Sequence, residues 1–126
     1  MMTLAQGQKD VALVAVDPTS VYWTALDASG LNRYLFQASL GGGVTNSWKT
    51  YSPYINGIAA DGVHLFWTSS VFVMATPLAG GPPVQLSGGA GGTYDARRVA
   101  FDQSCVYWTN YDSTKYSGSV MKAVKP

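Results

Sequence analysis

The stretch VAFDQSCVYWT, Val99 to Thr109, decides the fold, because the chain carries it three times. VAVDPTSVYWT runs from Val14 to Thr24, and IAADGVHLFWT from Ile58 to Thr68. In each copy an aspartate stands six residues before a tryptophan: Asp17 and Trp23, Asp61 and Trp67, Asp102 and Trp108. An alanine lies two residues ahead of each aspartate (Ala15, Ala59, Ala100), an aromatic precedes each tryptophan, and a threonine follows it. The tryptophans are 44 (67 − 23) and 41 (108 − 67) residues apart. A period of about 40–45 residues is that of a β-propeller blade, a four-stranded unit that cannot bury its faces alone.

Outward from the tryptophans a second block aligns. RYLFQASLGGG (Arg33 to Gly43), VFVMATPLAGG (Val71 to Gly81) and SVMKAVKP (Ser119 to Pro126) place Phe36, Met74 and Met121 in one column. Gly42-Gly43 and Gly80-Gly81 share a turn position, where glycine takes positive φ at little steric cost. Composition agrees: the chain has no glutamate and five lysines, but 14 glycines and 12 tyrosines plus tryptophans. Strand and turn formers dominate over helix formers, so the chain reads as all-β. The expected strands are 11–16, 21–26, 33–40 and 44–50 in the first repeat. They are 55–60, 64–69, 71–78 and 83–87 in the second, and 97–102, 105–110 and 118–124 in the third. The glycine-rich link from Gly88 to Tyr94 is expected as a surface loop.

The 126 residues thus read as one three-bladed unit, with repeats at about 9–50, 51–92 and 93–126. The third repeat lacks a fourth strand, while MTLAQGQ (Met2 to Gln8) precedes the first inner strand and resembles VQLSGGA (Val84 to Ala90), Leu4 matching Leu86. Residues 2–8 are therefore expected to be an outer strand that completes the last blade. Three blades are fewer than the four to eight of a closed propeller. The expectation is a homodimer whose two copies make a six-bladed ring; a fragment of a longer propeller is the competing reading.

Several function classes fall away. The net charge is +1, and Arg97-Arg98 is the only adjacent basic pair, so the basic patch of a nucleic-acid binder is missing. No apolar run reaches the roughly 18 residues of a membrane-spanning helix, and Met1 to Asp10 shows no signal-peptide core. Cys105 is the one cysteine and reads as a small buried thiol.

Asp17, Asp61 and Asp102 admit two readings. They could ring a cation or a sugar, or each could end an inner strand and accept backbone hydrogen bonds in the next turn. Because every repeat keeps the aspartate, the structural reading is the expectation, and Trp23, Trp67 and Trp108 are read as inter-blade core. His64, the only histidine, occupies the column of Ser20 and Cys105 with no nucleophile or ligand set evident around it. No metal, cofactor or catalytic set is expected. Residues that break the repeat are the better ligand candidates: Trp48, Tyr51 and Tyr54 in one link, Tyr94, Arg97 and Arg98 at the third blade's start, and Tyr111 and Asp112 beyond the third YWT. Aromatics mixed with Asp, Asn and Arg suit a carbohydrate or peptide, against the plainer reading of an ordinary polar rim.

The D-x-x-x-[VL]-[YF]-W-T column resembles the YWTD-type and NHL-like propellers, in particular bacterial repeat proteins reading VYWTN…VMKVPLGG. VYWTN stands here at Val106 to Asn110 and VMATPLAGG at Val73 to Gly81; LFQASLGGG in the first repeat departs from the pattern. The resemblance spans essentially the whole chain and implies a six-bladed propeller, with export as in bacterial relatives. Such families hold ligand-binding ectodomains and scaffolds as well as a few lyases and hydrolases. Two functions follow: a non-catalytic binding or assembly module, and, as the alternative, a small propeller hydrolase or lyase with a site at the channel mouth.

Overall fold

The computed structural model describes residues 1–88 and 94–126, Tyr94 by its backbone alone. The chain is all-β: eleven strands form three antiparallel sheets, with no helix among the described residues. β1 (Lys9–Val16), β2 (Ser20–Leu26), β3 (Arg33–Ser39) and β4 (Val44–Lys49) make the first sheet. β5 (Gly57–Ala60), β6 (His64–Thr68), β7 (Phe72–Pro77) and β8 (Val84–Gly88) make the second. β9 (Tyr94–Phe101), β10 (Cys105–Asp112) and β11 (Ser117–Val124) make the third. In each, order in space follows order in the chain.

The aligned columns are the strand register. Trp23 pairs with Val14 on one side and Phe36 on the other, Trp67 with Ile58 and Met74, and Trp108 with Val99 and Met121. Directly opposed residues share a face, so each sheet has a tryptophan face and an opposite face carrying Tyr22, Phe66 or Tyr107. The Gly-Gly pairs turn the β3–β4 and β7–β8 hairpins with φ of +100 and +87 at Gly42 and Gly43, and +101 and +108 at Gly80 and Gly81. A Cβ-bearing residue resists that left-handed geometry.

The structure of the single chain departs from the expected strand bounds in places. Met2 to Gln8 forms no strand; it has no ladder partner, and its Leu4 carbonyl accepts a bond from Gly43 N–H at 3.2 Å. β9 begins three residues before its expected start, at Tyr94, and β10 ends two residues past its expected end, at Asp112. The β10–β11 ladder runs on through Tyr111–Gly118 and Asp112–Ser117, which keeps their backbone groups paired. Most of the Gly88–Tyr94 link lies outside the described residues.

The chain divides into two compact units, Met1–Tyr54 and Ile55–Pro126. In the first, Trp23 stacks on Phe36 with centroids 5.7 Å apart and packs with Ala25 and Ala38, while Ala5 and Val21 cover the cluster. β1 is irregular: its register shifts twice, and Asp10 and Leu13 take φ of +48 and +35. Arg33 pairs with the Asp10 carboxylate beside that bulge.

In the second unit two sheets pack face to face. Phe66, Ala75 and Leu86 of the second sheet meet Val99 and Val106 of the third, and Val73 and Leu86 meet Ala96, Trp108 and Ala123. Each large apolar side chain buried there contributes about 1.5–3 kcal/mol. The sheets come so close at Gly57 that an added Cβ would lie 2.5 Å from Arg97 O. Thr68 Oγ1 donates to the same carbonyl.

Candidate functional site

Each repeat aspartate closes a tight turn between the first two strands of its sheet. Asp17 Oδ1 accepts the N–H groups of Thr19 and Ser20, both at 2.8 Å. Asp61 Oδ1 accepts those of Val63 and His64 at 3.0 and 2.7 Å, and Asp102 Oδ1 those of Ser104 and Cys105, both at 2.8 Å. The second oxygen is engaged as well. Tyr22 Oη donates to Asp17 Oδ2 and Tyr107 Oη to Asp102 Oδ2, each at 2.6 Å.

The second repeat has Phe66 in that column and so lacks the hydroxyl. There Lys125 Nζ, from the end of β11, sits 2.7 Å from Asp61 Oδ2. It also lies 4.5 Å from the centre of the Phe101 ring and 5.7 Å from that of Phe66. Lys125 carries no site role in the sequence reading. The signal for it was a polar break in a column, since Lys125 aligns with Leu40 and Leu78, together with the loss of the tyrosine at Phe66.

These partners lower the carboxyls. At Asp17 burial alone would raise the value, but bonds from Tyr22, Thr19 and Ser20 outweigh it and hold the group below the ordinary carboxylate range. At Asp61 burial is likewise outweighed by Lys125 and the two N–H groups. The Tyr107 hydroxyl and two N–H groups bring Asp102 to about 2. The same bond, from the other side, pushes Tyr107 up to about 12. A carboxylate that is saturated with donors and hard to protonate is a poor general base. Among the described residues no three His, Cys or Asp side chains converge as a metal set. His64 opens β6, its ring 5.8 Å from that of Phe66.

The repeat-breaking candidates separate between the units. Trp48 lies in β4, half-buried and opposite Leu35. Tyr51 and Tyr54 are exposed, and Lys49 Nζ stands 5.1 Å from the Tyr51 ring centre.

In the second unit the structure gathers Arg97, Arg98 and Tyr111 around Asp95 and Asn56, while the Tyr94 side chain lies outside the description. Asp95 Oδ2 forms an ion pair with Arg97 Nε at 2.8 Å, and Asp95 Oδ1 accepts from Asn56 Nδ2 at 2.8 Å. Asn56 Nδ2 also donates to Ala96 O at 2.8 Å, and Arg98 Nη1 donates to Asn56 O at 3.0 Å. The Arg97 guanidinium lies 5.4 Å from the Tyr111 ring centre, with half of the arginine side chain exposed. One carboxylate thus holds a half-exposed arginine side chain with its guanidinium over an aromatic face. That surface can stack on a sugar ring or donate to peptide carbonyls.

Asp112 is spent on the β10–β11 turn, accepting from Thr114 Oγ1 at 2.7 Å, Thr114 N–H at 2.9 Å and Lys115 N–H at 3.3 Å. Those bonds, the Thr114 hydroxyl first, hold it below the ordinary range. It also borders a cleft of about 640 Å³ between the two sheets, lined by Val73, Trp108, Asn110, Lys115 and Met121. A scan against protein-family models and a search of curated proteins return no match to this chain.

Proposed function

We propose that this chain is a non-catalytic β-propeller module of the YWTD/NHL-like kind, whose work is assembly and binding. Each sheet is a blade, and two copies close a six-bladed ring in which residues 2–8 complete the last blade. The observation that carries the reading is the shared register. One tryptophan–aspartate unit is built three times, and two of its copies pack face to face through those very columns. The saturation of all three aspartates supports a module without catalysis, since it leaves none free to act as base or ligand. The Asp95–Arg97–Tyr111 cluster is the proposed binding surface, with a carbohydrate or peptide as its ligand class.

Light scattering on the purified chain tests the assembly. A species of about twice the 13.4 kDa chain mass is expected, and a 13.4 kDa species alone refutes it. Glycan and peptide arrays test the binding: a signal lost in Arg97→Ala and Tyr111→Ala supports the surface, and a signal indifferent to both refutes it.

A further inference from the structure

Two sheet faces carry apolar residues that are more exposed than their aligned counterparts where the second and third sheets pack. On the tryptophan face of the first sheet, Val14 is 72% exposed and Val16 62%. On the tyrosine face of the third sheet, Val120 and Val124 are each 75% exposed. The register converts these into known roles. Val120 pairs with Thr109 as Val73 pairs with Thr68, and Val73 is 1% exposed against Trp108. Tyr107 stands where Phe66 stands, and Val14 and Val21 stand where Val99 and Val106 stand. The second unit therefore shows how a tyrosine-type face seats on a tryptophan face, and the exposed valines leave the tryptophan face of the first sheet and the tyrosine face of the third open to the same kind of contact.

We infer that these two faces are the seam between two copies: the third sheet of one copy docks on the first sheet of the other. The inference rests on the ring proposed above and specifies where it closes. A groove of about 490 Å³ on the first unit, lined by Leu4, Ala5, Val11, Leu13, Val14 and Trp23, receives Val120 of the second copy. Leu4 is poised there as Leu86 is poised beside Trp108, so residues 2–8 already lie where an outer strand of the docked sheet belongs.

Two further observations fit. Trp23 Nε1 and Gln8 Oε1 are buried at this face with no hydrogen-bond partner, whereas Trp67 Nε1 donates to Thr76 Oγ1 at 3.0 Å. Unpaired buried groups of this kind each cost stability, which marks the present cover as incomplete. Across the seam, Leu40 takes the place that Lys125 holds beside Asp61. Leu40 offers no charge to Asp102, and Asp102 instead has the Tyr107 hydroxyl of its own sheet.

The test joins the two faces chemically. In a Cys105→Ala background, Val11→Cys and Val120→Cys are prepared singly, co-refolded as a mixture, and treated with a short bis-maleimide. A covalent species of about twice 13.4 kDa is expected in the mixture and in neither variant alone. Each seam of a single-variant dimer holds one thiol, whereas the mixed dimer has a seam with both. A dimer by light scattering without the mixed cross-link overturns the seam while leaving self-association standing. A chain that stays at 13.4 kDa overturns both.

Discussion

Replacing Tyr22 with phenylalanine removes one oxygen and nothing else, and the structure says what that oxygen holds. Tyr22 is 1% exposed and Asp17 8% exposed, so the 2.6 Å bond between them is shielded from water. Asp17 Oδ1 keeps its bonds from Thr19 and Ser20, but Oδ2 loses a donor inside the fold. A hydrogen bond to a charged group contributes about 1.5–3 kcal/mol. Gln37 Nε2 lies 3.4 Å from the Tyr22 oxygen and can swing to replace it in part. The expected loss is therefore about 2 kcal/mol, or about 8 °C in Tm at about 4 °C per kcal/mol.

Thermal melts followed by circular dichroism at pH 7 read this directly. Tyr107→Phe removes the same 2.6 Å bond from an exposed turn, and at dilutions where the chain is monomeric it should cost clearly less. A Tyr22→Phe variant that melts within about 1 °C of the parent refutes the reasoning, because the shielded carboxylate would then need no second donor.

Other outcomes follow from the same contacts. Asp102 is lowered to about 2, so its contribution is whole above the unfolded value of about 3.9 and is lost as pH falls through about 2. Tyr107, raised to about 12, contributes fully below the unfolded value of about 10 and loses that contribution as pH rises through about 12. Asp102→Asn should flatten the acid arm in melts taken between pH 5 and about 2, since it removes the group that titrates there. Gly57→Ala pushes a Cβ against the Arg97 carbonyl and should cost about 1–3 kcal/mol in urea unfolding. Lys125→Leu alone should destabilise by stranding Asp61, and adding Phe66→Tyr should restore most of the loss. The double-mutant cycle should show a coupling of about 0.5–3 kcal/mol.

The strands were legible because their cause is local. Every expected strand from the first inner one onward exists, with ends that move by at most three residues. The register was legible too: the column of Phe36, Met74 and Met121 is the row opposite the three tryptophans. What could not be read depends on partners distant in sequence. Residues 2–8 look strand-like, yet a strand exists only against a ladder partner, and alternation alone does not supply one. Tyr111 and Asp112 fall past the expected end of the strand because polar residues cluster there, but the β10–β11 ladder uses backbone, which composition does not report. The link of Asn56 to Asp95 spans 39 residues, so the polar cluster around Arg97 emerges only when β5 and β9 are brought side by side.

The aspartate column shows most clearly why repetition argues for architecture. If these carboxylates served a ligand, their outer oxygens would have to stay open, and substitution nearby would be neutral to the fold. Instead the outer oxygen is closed in every repeat, by two different devices. Where the aromatic column has tyrosine, the hydroxyl closes it; where it has phenylalanine, a lysine from the next sheet does so. Two unlike solutions to one requirement identify the requirement itself: a turn carboxylate that must not be left short of donors. The third sheet's copy of that turn keeps its tyrosine, and the matching position on the first sheet is Leu40. A lysine there would have been redundant, which is the pattern expected if a second copy brings Leu40 to Asp102.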